Sequence, residues 1–243
     1  MPNTYLITGA SSDVGAALIE RLYKDGDIFI AQGSGDLANL AELCQKYKGA
    51  IKTYDVDLTS PEALSTFISD VQNRYPLPTH IIHLPALRVI NAKFKSFNEE
   101  RFALDMNVQV NSAVSICKAF VPQMAKAKCG RVLFMLTSYL IGVPPKNTAA
   151  YIMAKSAVQG LAKSLAADYA ASGVTVNCVA PYMMQTKFLK DTSDLIVEAS
   201  AEANPMGRNA HVEDVVPAMA FLLSEEASFI TGVTLPITGG YVF

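Results

Sequence analysis

Four cysteines in 243 residues, Cys44, Cys117, Cys129 and Cys178, lie scattered with no C-x-x-C spacing. That argues against a disulfide framework or a cysteine-held zinc ion. Histidine is scarcer: His80, His83 and His211 show no H-x-x-x-H spacing, and no metal site is expected. An excess of either charge is missing too. The 20 Lys and Arg nearly balance the 22 Asp and Glu, so nothing draws the whole chain to nucleic acid or anionic lipid. No stretch reaches the roughly 18 uninterrupted apolar residues of a membrane-spanning helix. No basic segment followed by an apolar run precedes the first strand-like residues, "TYLIT". The expectation is a cytoplasmic protein without membrane or nucleic-acid partners. Pro/Gly-rich linkers and repeats are also lacking, which leaves residues 1–243 as one domain.

What is present is alternation. Short apolar or β-branched runs predict strands near 3–8, 27–31, 50–55, 79–84, 131–137, 174–179 and 233–237. Helical patterns fall near 14–24, 36–47, 61–73, 98–126, 149–171 and 211–224. Strands that are apolar throughout and separated by helices imply an α/β fold, a doubly wound parallel sheet with helices on both faces. The polar, small-residue stretch 187–210, "KFLKDTSDLIVEASAEANPMGRNA", breaks the pattern. It reads as a lid over an active site, or else as an ordinary surface excursion.

Two local patterns carry chemistry. "YLITGASSDVGAALIERL" is strand, turn and helix, with Gly9 and Gly15 bracketing the turn. Free N–H groups and the positive dipole end at such a helix start suit a pyrophosphate; the plain alternative is a strand–helix turn needing glycine for φ > 0. Asp13 is odd there, because a carboxylate repels phosphate. Ser12 or Asp13 is expected to cap the helix, with the side chain turned away. The second pattern is "YIMAK". Tyr151 and Lys155 are four residues apart, on one helical face. A phenol titrates near about 10, and a fixed ammonium on the same face is expected to favour the phenolate, making a usable proton donor. The plain alternatives are a wet helix tyrosine and a snorkelling lysine.

"TGASSDVG", the Asp57-Leu58-Thr59 run, "MNVQ", a Ser thirteen residues before the Tyr of Y-x-x-x-K, and "VNCVAP" occur in this order. Together they resemble the short-chain dehydrogenase/reductase family over essentially the whole chain. The tail, from "NPMGRNAHVEDVV" to "PITGG", looks most like its 3-oxoacyl-[acyl-carrier-protein] reductase branch. The resemblance implies a Rossmann-type fold and NAD(P)H-dependent interconversion of a ketone and a secondary alcohol. It implies Tyr151 as general acid/base, Lys155 on the nicotinamide ribose, and Ser138 bonding the substrate oxygen. Asn107 would interrupt its helix and order a proton-relaying water. Gly9, Ser11, Ser12, Val14 and Gly15 would line the phosphates, and Leu84, Pro85, Ala86, Pro181 and Thr186 would line the rest of the cofactor. Asp57, beside Leu58, would bond the adenine, with a turn-forming carboxylate as its alternative.

The second strand ends in Gln32, Gly33 and Ser34, without the acidic residue that grips an NAD ribose. Ser34 and nearby N–H groups suit a 2′-phosphate, so NADP(H) is preferred. No Arg or Lys stands in the turn, which keeps NAD(H) as second choice. Asp36 opens the next helix. Where the family has Asn-Asn-Ala-Gly this chain has "HLPA", and His83 is expected to bond across neighbouring strands; a catalytic histidine is the rival. Tyr182 replaces a family Gly and would narrow the nicotinamide side or stack on substrate. Tyr139, Leu140, Ile141, Val143, Met183 and Met184 would wall an apolar pocket. That suits a small-molecule or acyl-thioester ketone, the latter on an acyl carrier protein docked at Lys126, Lys128, Arg131 and Lys163. A basic residue often precedes Gly173 in that branch, and Ser172 stands here. The apolar helices and C-terminus lead to an expected homotetramer or homodimer. Rival functions are a catalytically silent nucleotide-sensing or scaffold protein, and a nucleotide-sugar epimerase or dehydratase, for which the chain leaves little room.

Overall fold

A computed structural model describes residues 2–243. Its strands are β1 (Thr4–Thr8), β2 (Ile28–Gly33), β3 (Ile51–Asp55), β4 (His80–His83), β5 (Gly130–Met135), β6 (Val174–Pro181) and β7 (Thr234–Ile237). All pair in parallel, in the order β3-β2-β1-β4-β5-β6-β7. The helices are α1 (Asp13–Leu22), α2 (Ala38–Lys46), α3 (Pro61–Arg74), α4 (Glu99–Met106), α5 (Ser112–Lys126), α6 (Ala149–Tyr169), α7 (Asp194–Ala203) and α8 (Val212–Leu223). Successive strand side chains point to opposite faces, so adjacent Leu6 and Ile7 enter different cores. Leu6, Ile81 and Phe134 pack with Phe67, Phe120 and Val158 of α3, α5 and α6. Ile7, Phe29 and Leu133 pack with Leu18, Leu40 and Met219 of α1, α2 and α8. Burial on both faces explains why the inner strands β1, β2, β5 and β6 read as largely apolar runs, while the edge strands β3 and β7 are only part-buried.

From β1 the chain builds outward to β3, then returns to place β4 on the other side of β1. The reversal opens a crevice at the carboxyl ends of β1 and β4, where such sheets bind ligands.

Two segments depart from the sequence expectation in detail. The helical stretch 98–126 is three pieces: α4, a π-helical turn over Asn107–Asn111, and α5. The widened turn bonds Ser112 N–H to the Asn107 carbonyl, the i→i+5 pattern that marks functional sites in helices. The stretch 187–210 contains a 3₁₀ turn, Lys187–Leu189, and then α7. No residue of α7 is fully buried. At the base of this excursion Met184 bridges Ala210, and Gln185 N–H donates to the Ala210 carbonyl at 3.0 Å. Among the described residues no helix is long and apolar enough to cross a membrane.

Candidate active site

The turn after β1 forms the floor of the crevice. Gly9 has φ +69°, and a Cβ there would lie 3.1 Å from the Pro85 nitrogen and 3.3 Å from Leu84. A Cβ on Gly15 would come within 2.6 Å of the Ala10 carbonyl oxygen. Both glycines let backbone close on backbone. Ser12 is the helix cap, its Oγ accepting from Gly15 N–H at 3.1 Å. Ser11 faces Gly33, where a Cβ would meet the Ser11 Oγ at 2.7 Å. With Val14 buried behind it, the start of α1 is a bare backbone cradle, and this donor set fits a dinucleotide diphosphate.

Other expected cofactor positions take different parts. Gln32 does not face the crevice. It is 2% exposed, accepts from Gly9 N–H at 3.0 Å, and donates to the Gly33 and Val56 carbonyls. It braces the turn from behind. Ser34 is exposed at the mouth. Asp36 accepts from Ala38 N–H at the entry to α2. Asp55, at the end of β3, accepts from Gly35 N–H at 3.2 Å; it puts a carboxylate beside that turn which a reading of β2 alone passes over. Asp57 Oδ1 closes a turn with the N–H and hydroxyl of Thr59, both at 2.8 Å, while Leu58 is buried. Leu84 N–H donates to the Thr8 carbonyl, and the chain runs on through Pro85 and Ala86, both part-buried. Pro181 ends β6, and Thr186 takes the N-cap position of the 3₁₀ turn at the start of the stretch 187–210.

Tyr151 and Lys155 enter from the first two turns of α6 on one face, as their spacing requires. Lys155 is 2% exposed. Its Nζ donates to the Met135 carbonyl at the end of β5, at 2.8 Å, and lies 5.8 Å from the centre of the Tyr151 ring. Burial pulls its ammonium down from 10.5 to about 8. Burial also pushes the Tyr151 phenol up, opposed by a hydrogen bond with the Thr137 side chain and reinforced by Tyr139 and Asp105. The expectation that the ammonium lowers this phenol is therefore corrected for the protein alone: desolvation wins, and the phenol is held protonated. Ser138 is buried and begins the 3₁₀ turn Ser138–Leu140 that follows β5.

His83 is a structural pin. Nε2 lies 3.0 Å from the Gln109 carbonyl, and Nδ1 lies 2.7 Å from the Thr8 hydroxyl. A carbonyl only accepts, so Nε2 carries the proton and Thr8 donates to Nδ1. Burial depresses the imidazole to about 3, which removes it as an acid or base near neutrality. The carbonyl it holds belongs to the π-helical turn. Asn107 does break the helix; its side chain donates to the Thr59 carbonyl at 3.4 Å and accepts from Asn111 at 2.7 Å.

Tyrosines gather where substrate was expected. Tyr139 meets Tyr151 edge-on at 6.4 Å, and Tyr182 meets Tyr241 at 4.8 Å. Tyr182 is 6% exposed and donates to the Ser200 carbonyl of α7; it supports α7 instead of presenting an open stacking face. Leu140 and Ile141 pack against the core, Val143 is fully exposed, and Met183 and Met184 are part-buried. Of the expected basic face, Lys126, Lys128 and Lys163 are exposed and Arg131 is not. Arg131 is buried and paired with Glu225 at 2.9 Å. Lys126 and Lys128 stand between the end of α5 and the start of β5, the pole opposite Tyr151. The site's own rim carries Arg88, Lys93, Lys95 and Lys146, all exposed, among the exposed apolar side chains of Ile90, Phe94 and Val143. Sequence reasoning missed Thr137, Asp105 and the Met135 carbonyl. Only Thr137, adjacent to Ser138, left a local signal.

Comparison with known proteins agrees with this architecture. A family model described as enoyl-(acyl carrier protein) reductase matches residues 9–242. The 3-oxoacyl-[acyl-carrier-protein] reductase of Rickettsia prowazekii is 31% identical over 98% of this chain and 95% of its own. That of Haemophilus influenzae is 29% identical over 97% and 96%. Among solved structures, a short-chain dehydrogenase/reductase from Burkholderia thailandensis superposes with a TM-score of 0.85 at 26% identity, over 99% of this chain and 93% of that one. A Beutenbergia cavernae chain, provisionally named an NAD(P)-dependent gluconate 5-dehydrogenase and containing NADP at low occupancy, gives 0.89 at 25% identity, over 98% and 96%. With the parallel sheet, the glycine cradle and the Tyr-Lys helix in one register, the chain belongs to the short-chain dehydrogenase/reductase family of oxidoreductases.

Proposed function

We propose that this protein is an NADPH-dependent ketoreductase whose substrate is an apolar or acyl-thioester ketone, with a 3-oxoacyl-[acyl-carrier-protein] the favoured member. One observation carries the reading: Lys155 Nζ lies 5.8 Å from the centre of the Tyr151 ring and bonds the Met135 carbonyl at the end of β5, three residues before the buried Ser138. A reduced nicotinamide bound there supplies hydride. The protein's own residues do the rest. Ser138 donates a hydrogen bond to the ketone oxygen and orients it. Tyr151 gives its proton to that oxygen as negative charge develops. Lys155, its ammonium anchored by the Met135 carbonyl, holds the ribose hydroxyls and favours the phenolate left behind. Ser11 and Val14 would hold the diphosphate over the close-packed turn that Gly9 and Gly15 permit, with Asp57, Leu84 and Thr186 along its length.

A strand end whose Gln32 is spent internally, together with exposed Ser34, supports NADP(H); Asp55 beside the same turn keeps NAD(H) as the alternative. The exposed Lys93, Phe94, Lys95 and Lys146, in the loops after β4 and β5, support an acidic carrier arriving at the mouth of the site. Val114 on α5, Met153 on α6, and Phe229 and Phe243 near the C-terminus leave apolar surface that supports a homotetramer or homodimer. The test is oxidation of NADPH against acetoacetyl thioesters and free ketones, with reduction of NADP⁺ against polyols for the reverse direction. Turnover is expected to be highest with the thioester. Tight NADPH binding without turnover on any ketone would contradict the reading and favour a silent sensor.

A further inference from the structure

Asp13 puzzles as a carboxylate beside a phosphate cradle, and its contacts explain it. Oδ2 accepts from the backbone N–H of Lys187 at 2.8 Å, a residue 174 positions away. Oδ1 accepts from Asn39 Nδ2 at 3.3 Å. Asn39 also donates to the Ser11 carbonyl at 3.0 Å, and its Oδ1 accepts from Lys187 Nζ at 3.2 Å. One carboxylate and one carboxamide thus tie together three segments: the cradle after β1, the first turn of α2, and the first turn of the lid. In the sheet, β1 and β6 are separated by β4 and β5. The bond from the lid at the end of β6 to Asp13 at the start of α1 therefore closes the carboxyl ends of the intervening strands.

We propose that Asp13 is a positioning residue that clasps the lid to the phosphate cradle and so governs how fast the dinucleotide leaves. The proposal rests on the dinucleotide reading of the crevice. Charge agrees with it. Lys187 Nζ sits one carboxamide away from the carboxylate, so the rim facing a pyrophosphate is balanced and not bare anion. The clasp has a neighbour in the ion pair of Arg88 with Asp191, which joins the loop after β4 to the same lid. Loss of Asp13 alone should loosen the lid's first turn while the lid stays attached.

The experiment compares wild type, Asp13→Ala and Asp13→Asn, with matched thermal melts to establish folding. NADPH binding is followed by the nucleotide's own fluorescence, since the chain has no Trp. Release is timed by displacement with excess NADP⁺, and trypsin cleavage at Lys187 and Lys190 is followed with NADPH bound. Loss of a charge-assisted hydrogen bond is expected to speed release from Asp13→Ala about tenfold. The KM for NADPH should rise more than that for the ketone, and lid cleavage should quicken. Asp13→Asn keeps an acceptor oxygen and should fall between. Unchanged release and cleavage in Asp13→Ala would overturn the proposal. So would tighter NADPH binding in Asp13→Asn, the result of simple repulsion between carboxylate and pyrophosphate. Absence of NADPH binding to wild type would instead remove the cofactor reading itself, and the clasp with it.

Discussion

Lys155 shows how one residue can cost stability and serve chemistry. Its folded pKa, about 8 against 10.5, means the ammonium is disfavoured by burial while still charged at neutral pH. Below pH 8 both folded and unfolded chains carry the proton and the penalty is complete; between pH 8 and 10.5 the unfolded chain binds more proton, and stability rises with pH. Lys155→Met is thus expected to melt higher than wild type at pH 7, by a few degrees for a penalty of roughly 3 kcal/mol partly offset by the lost Met135 bond. The advantage should vanish toward pH 10, and ketone reduction should fall by orders of magnitude. Melting curves across pH check this; a variant less stable than wild type at pH 7 would refute it. For the wild type, kcat/KM for reduction should decline above about pH 8 as the charge is lost. The pair Tyr151 and Lys155 was legible from spacing alone, because helical periodicity fixes which residues share a face. The sign of the phenol's shift was not legible, since it depends on how deeply α6 packs and which neighbours surround the ring.

At the scale of elements, the π-helical turn and His83 belong together. A turn that widens to i→i+5 disturbs the regular ladder, and the buried imidazole accepts the task of bonding the Gln109 carbonyl. His83→Leu leaves that carbonyl and the Thr8 hydroxyl without the imidazole, and is expected to cost about 1–3 kcal/mol. His83→Asn, which keeps donor and acceptor, should recover part of it. Chemical unfolding at pH 7 measures both; equal stability of the Leu variant and wild type would refute the pinning role. "HLPA" announced a departure in the sequence, yet the partner of His83 lies 26 positions on, in a turn whose geometry no local pattern specifies. The stretch 187–210 was legible as a break in alternation; the helix α7 within it was not.

For the whole molecule, alternation of strand-like and helical runs was enough to place the strands within a few residues; burial on both faces marks the inner strands, while the edge strands β3 and β7 are only part-buried. The pole of the sheet that carries the chemistry followed from topology once the order reversed at β1. What topology did not give was the surface: Arg131, expected on a docking face, lies buried under Glu225. Two buried imidazoles set a global pH dependence. His80, held by the Leu223 carbonyl, and His83 are depressed to about 4 and about 3. Above the ordinary histidine range both are neutral in either state and stability is undiminished. Below it the unfolded chain takes up protons that the folded chain refuses. Stability should therefore fall on acidification from about pH 6.5 toward pH 4, by up to about 1.4 kcal/mol per pH unit for each imidazole. Urea unfolding in that window should show the slope, reduced in His83→Asn.

The central claim is that the Tyr151 phenol is the proton source for ketone reduction beside a bound dinucleotide. It is tested most directly by Tyr151→Phe, assayed for NADPH binding by fluorescence and for NADPH oxidation with acetoacetyl thioester. The account predicts a retained dissociation constant and a fall in turnover of about 10²–10⁴-fold, the span that general acid catalysis supplies. Turnover equal to that of the wild type would contradict it.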